Sequence, residues 1–173
     1  MATATAIVLG TAQDAGIPQP GCTAACCRPA AGQLALRRMP ASIGLHDEAS
    51  GQSALIDATW ALPDQLAMLH AHAGHVRWPD AIALTHAHMG HYTGLLWAGR
   101  EAAATTNLPV HCSSAMAAFL RANGPWRQLV DEGNIALHEH DPHERFQLVS
   151  GIDAQALPVP HRGEWSDTMA FKL

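Results

Sequence analysis

Lysine occurs once in this chain, at Lys172, and the other basic residues are scattered arginines. With charged residues at 14% and a formal net charge of −5, no clustered cation face is available to meet phosphates. Nucleic-acid binding is therefore not expected. No apolar run approaches the roughly 20 residues that span a bilayer, so no membrane partner is expected either. The start, Met1–Gly10, lacks a basic n-region and reads as a strand, not a signal peptide. The expected location is the cytoplasm. Four cysteines are too few and too bunched for a disulfide framework. Against these shortages, hydrophobic residues reach 48% of 173 positions, enough to argue against disorder and for one domain with a real core. The abundant ionisable residue is histidine, with 12 copies beside 15 carboxylates.

Periodicity and punctuation outline a layered α/β chain. Ala4–Leu9 reads as a strand ended by Gly10, and 11–40 as a long loop with a helical turn near Leu34–Arg38. Ser42–His46 and Ser53–Asp57 read as two strands joined by the polar turn 47–52. Pro63 opens a short helix that Gly74 stops. Ala81–Thr85 is a buried-strand candidate, followed by a helix over Tyr92–Ala104. Pro109–Cys112 is a strand, and Ser114 starts a helix running to Arg121 with Asn123-Gly124 as its stop. Asn134–His138, Phe146–Val149 and Ala154–Val159 read as strands, and Thr168–Leu173 as the beginning of another.

The informative stretch is T-H-A-H-M-G-H-Y-T-G-L, Thr85–Leu95. In an extended segment, residues two apart point the same way, so His86 and His88 can present two imidazoles to one point. A helix beginning near His91 would bring that ring to the same spot. Three such ligands with one open position mark a catalytic zinc site. A fourth candidate, His161, sits in the polar segment P-H-R-G-E-W-S-D-T; from the residues alone it is equally a surface histidine. The remaining histidines, including His46, His70, His72, His75, His111, His138, His140 and His143, read as surface or packing residues. Three thiols within six positions, Cys22, Cys26 and Cys27, point in a reducing compartment to metal or redox chemistry, or to ordinary packed thiols.

T-H-A-H-M-G-H resembles the H-x-H-x-D-H signature of the metallo-β-lactamase superfamily. V-L-G-T-A-Q-D-A-G-I-P-Q-P-G-C and P-V-P-H-R-G-E-W-S-D-T resemble the branch of pyrroloquinoline quinone biosynthesis protein B and the carbon–phosphorus lyase phosphodiesterase. The resemblance runs from Val8 to the last residue. It implies an αββα sandwich with metal held at one edge between two sheets. It places His86, His88 and His161 as ligands of a first metal and His91 as a ligand of a second. Asp57 then becomes a carboxylate that orients a ligand histidine; read by itself it is equally a turn carboxylate. The Cys22, Cys26 and Cys27 loop resembles the structural-zinc loop of this branch, with Cys112 a distant candidate for a fourth ligand.

Two departures modify the expectation. The second-metal Asp of the signature is Gly90 here, and no histidine follows His161 to complete that site. A mononuclear centre is the expected form, in a single domain over 1–173 that stops short at its C-terminus. The strands near that end should leave apolar faces uncovered, favouring a homodimer. The implied activity is metal-dependent hydrolysis of a small phosphoester or acyl-type molecule, with zinc, or alternatively iron or manganese, as the ion. The rivals are an iron-dependent oxidative or accessory role in quinone-cofactor biosynthesis, and a non-catalytic fragment.

Overall fold

The computed structural model describes Ala4–Leu173, so Met1–Thr3 of the expected first strand lie outside the described residues. Its core is a six-stranded sheet laid down in chain order: β1 (Ala4–Gly10), β2 (Ser42–Asp47), β3 (Ser53–Ile56), β4 (Ala81–Ala83), β5 (Leu108–Cys112) and β6 (Ile135–Glu139). The first three strands pair antiparallel; β3 through β6 pair parallel. A second, antiparallel sheet holds β7 (Arg145–Val149), β8 (Ile152–Pro158) and β9 (Met169–Lys172).

Alternation along the strands assigns the two faces of the large sheet. Leu55, Ile82, Val110 and Ile135 enter a core shared with Leu62, Leu66 and Leu69 of α2 (Leu62–Ala73) and Met116 and Leu120 of α4 (Ser114–Ala122). Ile43, Leu45, Ala54, Ala81 and Ala83 face the other way and meet Leu148, Val149, Ile152 and Ala154 of the second sheet. The alanines on this side let the sheets approach closely, and each buried large aliphatic contributes roughly 1.5–3 kcal/mol. The layers are thus helix, sheet, sheet, three of the four layers of the expected αββα sandwich.

The structure corrects the expectation of uncovered apolar faces. Ala154, Ala156 and Met169 are buried, and Phe171 packs into the inter-sheet core. The opposite face of β8 carries Asp153 and Gln155, paired with Gln147, Arg145 and Lys172, and is polar.

Two helical readings change as well. The helix expected over 92–104 is one α-helical turn, α3 (Met89–Tyr92), passing into a 3-10 segment, Thr93–Ala98. Gly94 explains it: a Cβ there would lie 2.0 Å from the Thr59 carbonyl oxygen, so the chain is pressed on the loop after β3. Asn123-Gly124 ends α4 but also opens α5 (Gly124–Asp131), because the proline that follows suits a first helical turn. The long loop carries its expected turn as a 3-10 segment, Leu34–Leu36, after a short additional helix, α1 (Arg28–Gly32).

Parallel order from β3 to β5 lines up their C-terminal ends along one edge, where ligands bind in open α/β sheets. The loops after β1, β3, β4 and β8 all reach this edge. The Met169 amide donates to the Thr85 carbonyl at 3.0 Å and ties the second sheet to it.

Candidate metal centre

Asp57 follows β3 in a left-handed conformation, φ 66°, which Asp adopts more readily than most residues. That turn aims its carboxylate across the edge. Asp57 Oδ1 accepts from the Thr85 amide at 2.8 Å, and the Thr85 hydroxyl donates to both carboxylate oxygens at 2.9 Å. Asp57 Oδ2 lies 2.7 Å from His91 Nδ1. The same residue therefore organises the start and the end of the histidine motif.

Because the Thr85 hydroxyl proton is committed to Asp57, its oxygen accepts from His86 Nδ1–H at 2.9 Å. The proton of His86 is then on Nδ1, and Nε2 carries the lone pair. His88 is fixed from the other side: its Nε2 stands 2.8 Å from Glu164 Oε2, so Nδ1 carries the lone pair. These two lone-pair nitrogens face each other at 2.8 Å. His161 Nε2 approaches His88 Nδ1 at 3.2 Å. His86, His88 and His161 bring three ligand atoms within 4.8 Å of one another, and no other such group of three occurs among the described residues. Nitrogens on one tetrahedral zinc at 2.0–2.1 Å stand about 3.3 Å apart, so the donor set fits a borderline divalent ion.

His161 arrives on the loop between β8 and β9, closed at its base by Val159 N–H to the Thr168 carbonyl at 3.0 Å. The Ser166 hydroxyl on this loop accepts from the Ala87 amide, and Ser113 donates to the Asp167 carboxylate. Glu164 also pairs with Arg162 at 2.6 Å. Burial, then crowding by His91, His88 and His161, pushes the His86 pKa down to about 4, keeping its ring neutral. For His91, burial pulls downward, but the hydrogen bond and charge of Asp57, with help from Asp14, outweigh it and raise the pKa. The bond to His88 holds Glu164 below the usual carboxylate range.

Asp14 was not singled out in the sequence. Its Oδ1 is 3.2 Å from His91 Nε2. It lines, with Gln13, Gln19, Arg162 and the four histidines, a cleft of about 680 Å³. A larger groove of about 780 Å³ beside β1 is lined by Val8, Leu34, Met39, Trp60 and Met68 among others. It shares no lining residue with the histidine cleft and holds no comparable chemistry.

Other expectations fare differently. The helix after His88 is a single turn, too short to bring a helix dipole to the site. The three thiols do not converge as the histidines do: Cys26 and Cys27 approach to 3.8 Å, and the Gln19 amide donates to Cys27 Sγ. Cys112 is fully buried in the helix-side core, and burial pushes its thiol up to about 12. It packs as a small apolar residue. Among the histidines expected at the surface or in packing, His46 and His111 are buried, and His111 stacks on Phe146 and lies 2.9 Å from His140. No helix of the described residues is long and apolar enough to cross a membrane.

Residues 53–172 match the model of a beta-lactamase superfamily domain. No curated protein matches the chain. Among solved structures, Zn²⁺-bound PqqB from Methylobacterium extorquens is similar at TM-score 0.77 and 18% identity, over 98% of this chain and 58% of that one. A diphosphatase of the PhnP family is similar at TM-score 0.68 and 23% identity, over 99% and 63%. YhfI from Bacillus subtilis, a metallo-beta-lactamase fold protein, is similar at TM-score 0.62 and 14% identity, over 97% and 56%. The chain therefore spans about three fifths of these proteins. At such identities the likeness shows the fold.

Proposed function

The chain belongs to the metallo-β-lactamase superfamily, and on that premise we propose that it is a metal-dependent hydrolase of a small phosphoester or acyl-type substrate. The observation that carries the reading is the pair of lone-pair nitrogens, His86 Nε2 and His88 Nδ1, aimed at each other at 2.8 Å with His161 beside them. Two ring acceptors at that distance repel unless a proton or a metal ion lies among them. His86, His88 and His161 would hold the ion, and zinc matches their chemistry; one similar structure is of a Zn²⁺-bound protein. Such an ion supplies, when bound, the Lewis acidity that makes water nucleophilic near neutral pH.

The chain's own groups supply the rest. Thr85 and Glu164 hold the protons of His86 and His88 away from the centre. Asp57 fixes the ring of His91 at the wall of the cleft. Arg162 lines the mouth and offers a fixed positive charge to an anionic substrate. A phosphoester suits that charge, and a second similar structure is a diphosphatase.

The test pairs metal analysis with turnover of bis(p-nitrophenyl) phosphate and p-nitrophenyl acetate. Wild-type protein should retain an ion through dialysis and turn over one of these esters. His88→Ala should lose both properties. Wild-type protein that holds its ion stoichiometrically yet hydrolyses neither ester overturns the hydrolase reading.

A further inference from the structure

Gly90 stands where the superfamily signature has an acidic residue, and the structure shows why no side chain fits there. A Cβ on Gly90 would lie 2.4 Å from Asp14 Cα, 2.9 Å from its Cβ and 3.0 Å from its Oδ1. The space beside the motif is already filled by another residue, and that residue is a carboxylate. Its loop is anchored independently of the histidines. The Trp60 indole donates to the Asp14 carbonyl at 2.8 Å. The Thr11 and Ala12 amides donate to the Met39 carbonyl at 3.0 and 2.9 Å, and the Ala41 amide returns a bond to the Ala12 carbonyl.

Building on the hydrolase reading, we propose that Asp14 supplies from the loop after β1 the carboxylate ligand that position 90 cannot, and that with His91 it binds a second divalent ion. Asp57 engages Nδ1 of His91, which leaves Nε2 as the ring atom facing Asp14 Oδ1, at 3.2 Å. Two ligands at about 2.1 Å from one ion stand about 3.0 Å apart at a right angle and about 3.4 Å apart at the tetrahedral angle, and the 3.2 Å seen lies between. The His86 and His91 ring centroids are 4.2 Å apart, so this second position adjoins the first. A mixed carboxylate–imidazole pair suits zinc, manganese or iron rather than a thiolate-seeking ion. Glycine at 90 is then required: it clears the path by which the Asp14 backbone reaches the motif.

The test is anomalous scattering from crystals of wild type and Asp14→Asn equilibrated with Mn²⁺ and, separately, Zn²⁺. Wild type should show one peak among His86, His88 and His161 and a second between His91 and Asp14. Asp14→Asn should keep the first and lose the second. Thermal unfolding of the two proteins without metal should be similar, because Asp14 is partly exposed and its loop is held by main-chain bonds. A single peak at the three histidines in wild type, or a second peak that survives in Asp14→Asn, overturns this assignment and leaves the hydrolase reading standing. No peak at either position in wild type overturns both.

Discussion

The Ala87 amide donates to the Ser166 hydroxyl at 2.9 Å, across 79 residues of sequence. Ala87 lies between His86 and His88, and Ser166 lies on the loop that carries His161. One hydrogen bond therefore registers two ligands from the first sheet against the third from the second.

Ser166→Ala should weaken metal binding without removing any ligand. The variant leaves a buried amide unpaired, at a cost of about 1–3 kcal/mol, and frees the His161 loop. Loss of an outer partner that orients ligands lowers metal affinity about 10-fold or more. Competition with a chromophoric chelator measures it. Wild-type affinity in the variant would show that the loop is positioned by other contacts.

Asp57→Ala should cost more stability than a turn carboxylate would. It strands the Thr85 amide and hydroxyl and the His91 Nδ1–H, and it places alanine at φ 66°. With several partners lost, about 2–4 kcal/mol is expected in urea unfolding. Asp57→Asn tolerates the same backbone and retains an acceptor for Thr85, so its loss should be smaller. Equal losses would show that the carboxylate alone, not the backbone conformation, carries the effect.

Acid should weaken the fold at a place remote from the metal ligands. His111 is buried on β5, and burial, followed by His140 and His138, lowers its pKa to about 4. The groups facing it are those two imidazoles, with Glu144 lying 3.2 Å from His140. A base with a lowered folded pKa binds fewer protons folded than unfolded. Its contribution is intact above the unfolded value near 6.5 and is lost as pH falls toward 4. The stability lost across that window is on the order of 3 kcal/mol. His111→Phe keeps the stacking partner of Phe146 and removes the proton site, so its unfolding free energy should fall less between pH 6.5 and 4. Identical pH profiles would exclude His111 as the source.

Much of this was legible in the sequence, for reasons that differ by element. β2, β3 and α2 announce themselves through alternation, a polar turn, Pro63 and Gly74, all local signals. The His86–His88 pair is legible because two-residue spacing in an extended segment is itself geometry. The 92–104 helix misled because Gly94 and Gly99 are compatible with a helix until the Thr59 carbonyl occupies the space beside Gly94. α5 was hidden by a Gly-Pro pair that punctuates one helix and opens the next. Asp14 and Glu164 act on residues more than 70 positions away, and no spacing rule reaches that far. The available hint was the absence of a side chain at position 90 together with an aspartate in the first long loop.

His86 and His88 ride on the first sheet, while His161 is delivered by the second. An ion gripping all three is therefore a clasp between layers as well as a reagent. Prying the sheets apart would mean releasing it, so the work of separation rises with the concentration of free ion. Each tenfold increase above the dissociation constant adds about 1.4 kcal/mol. The same seam would let the chain's mechanical cohesion report on metal supply: a starved molecule should open more readily where Met169 of β9 meets Thr85, beyond the end of β4.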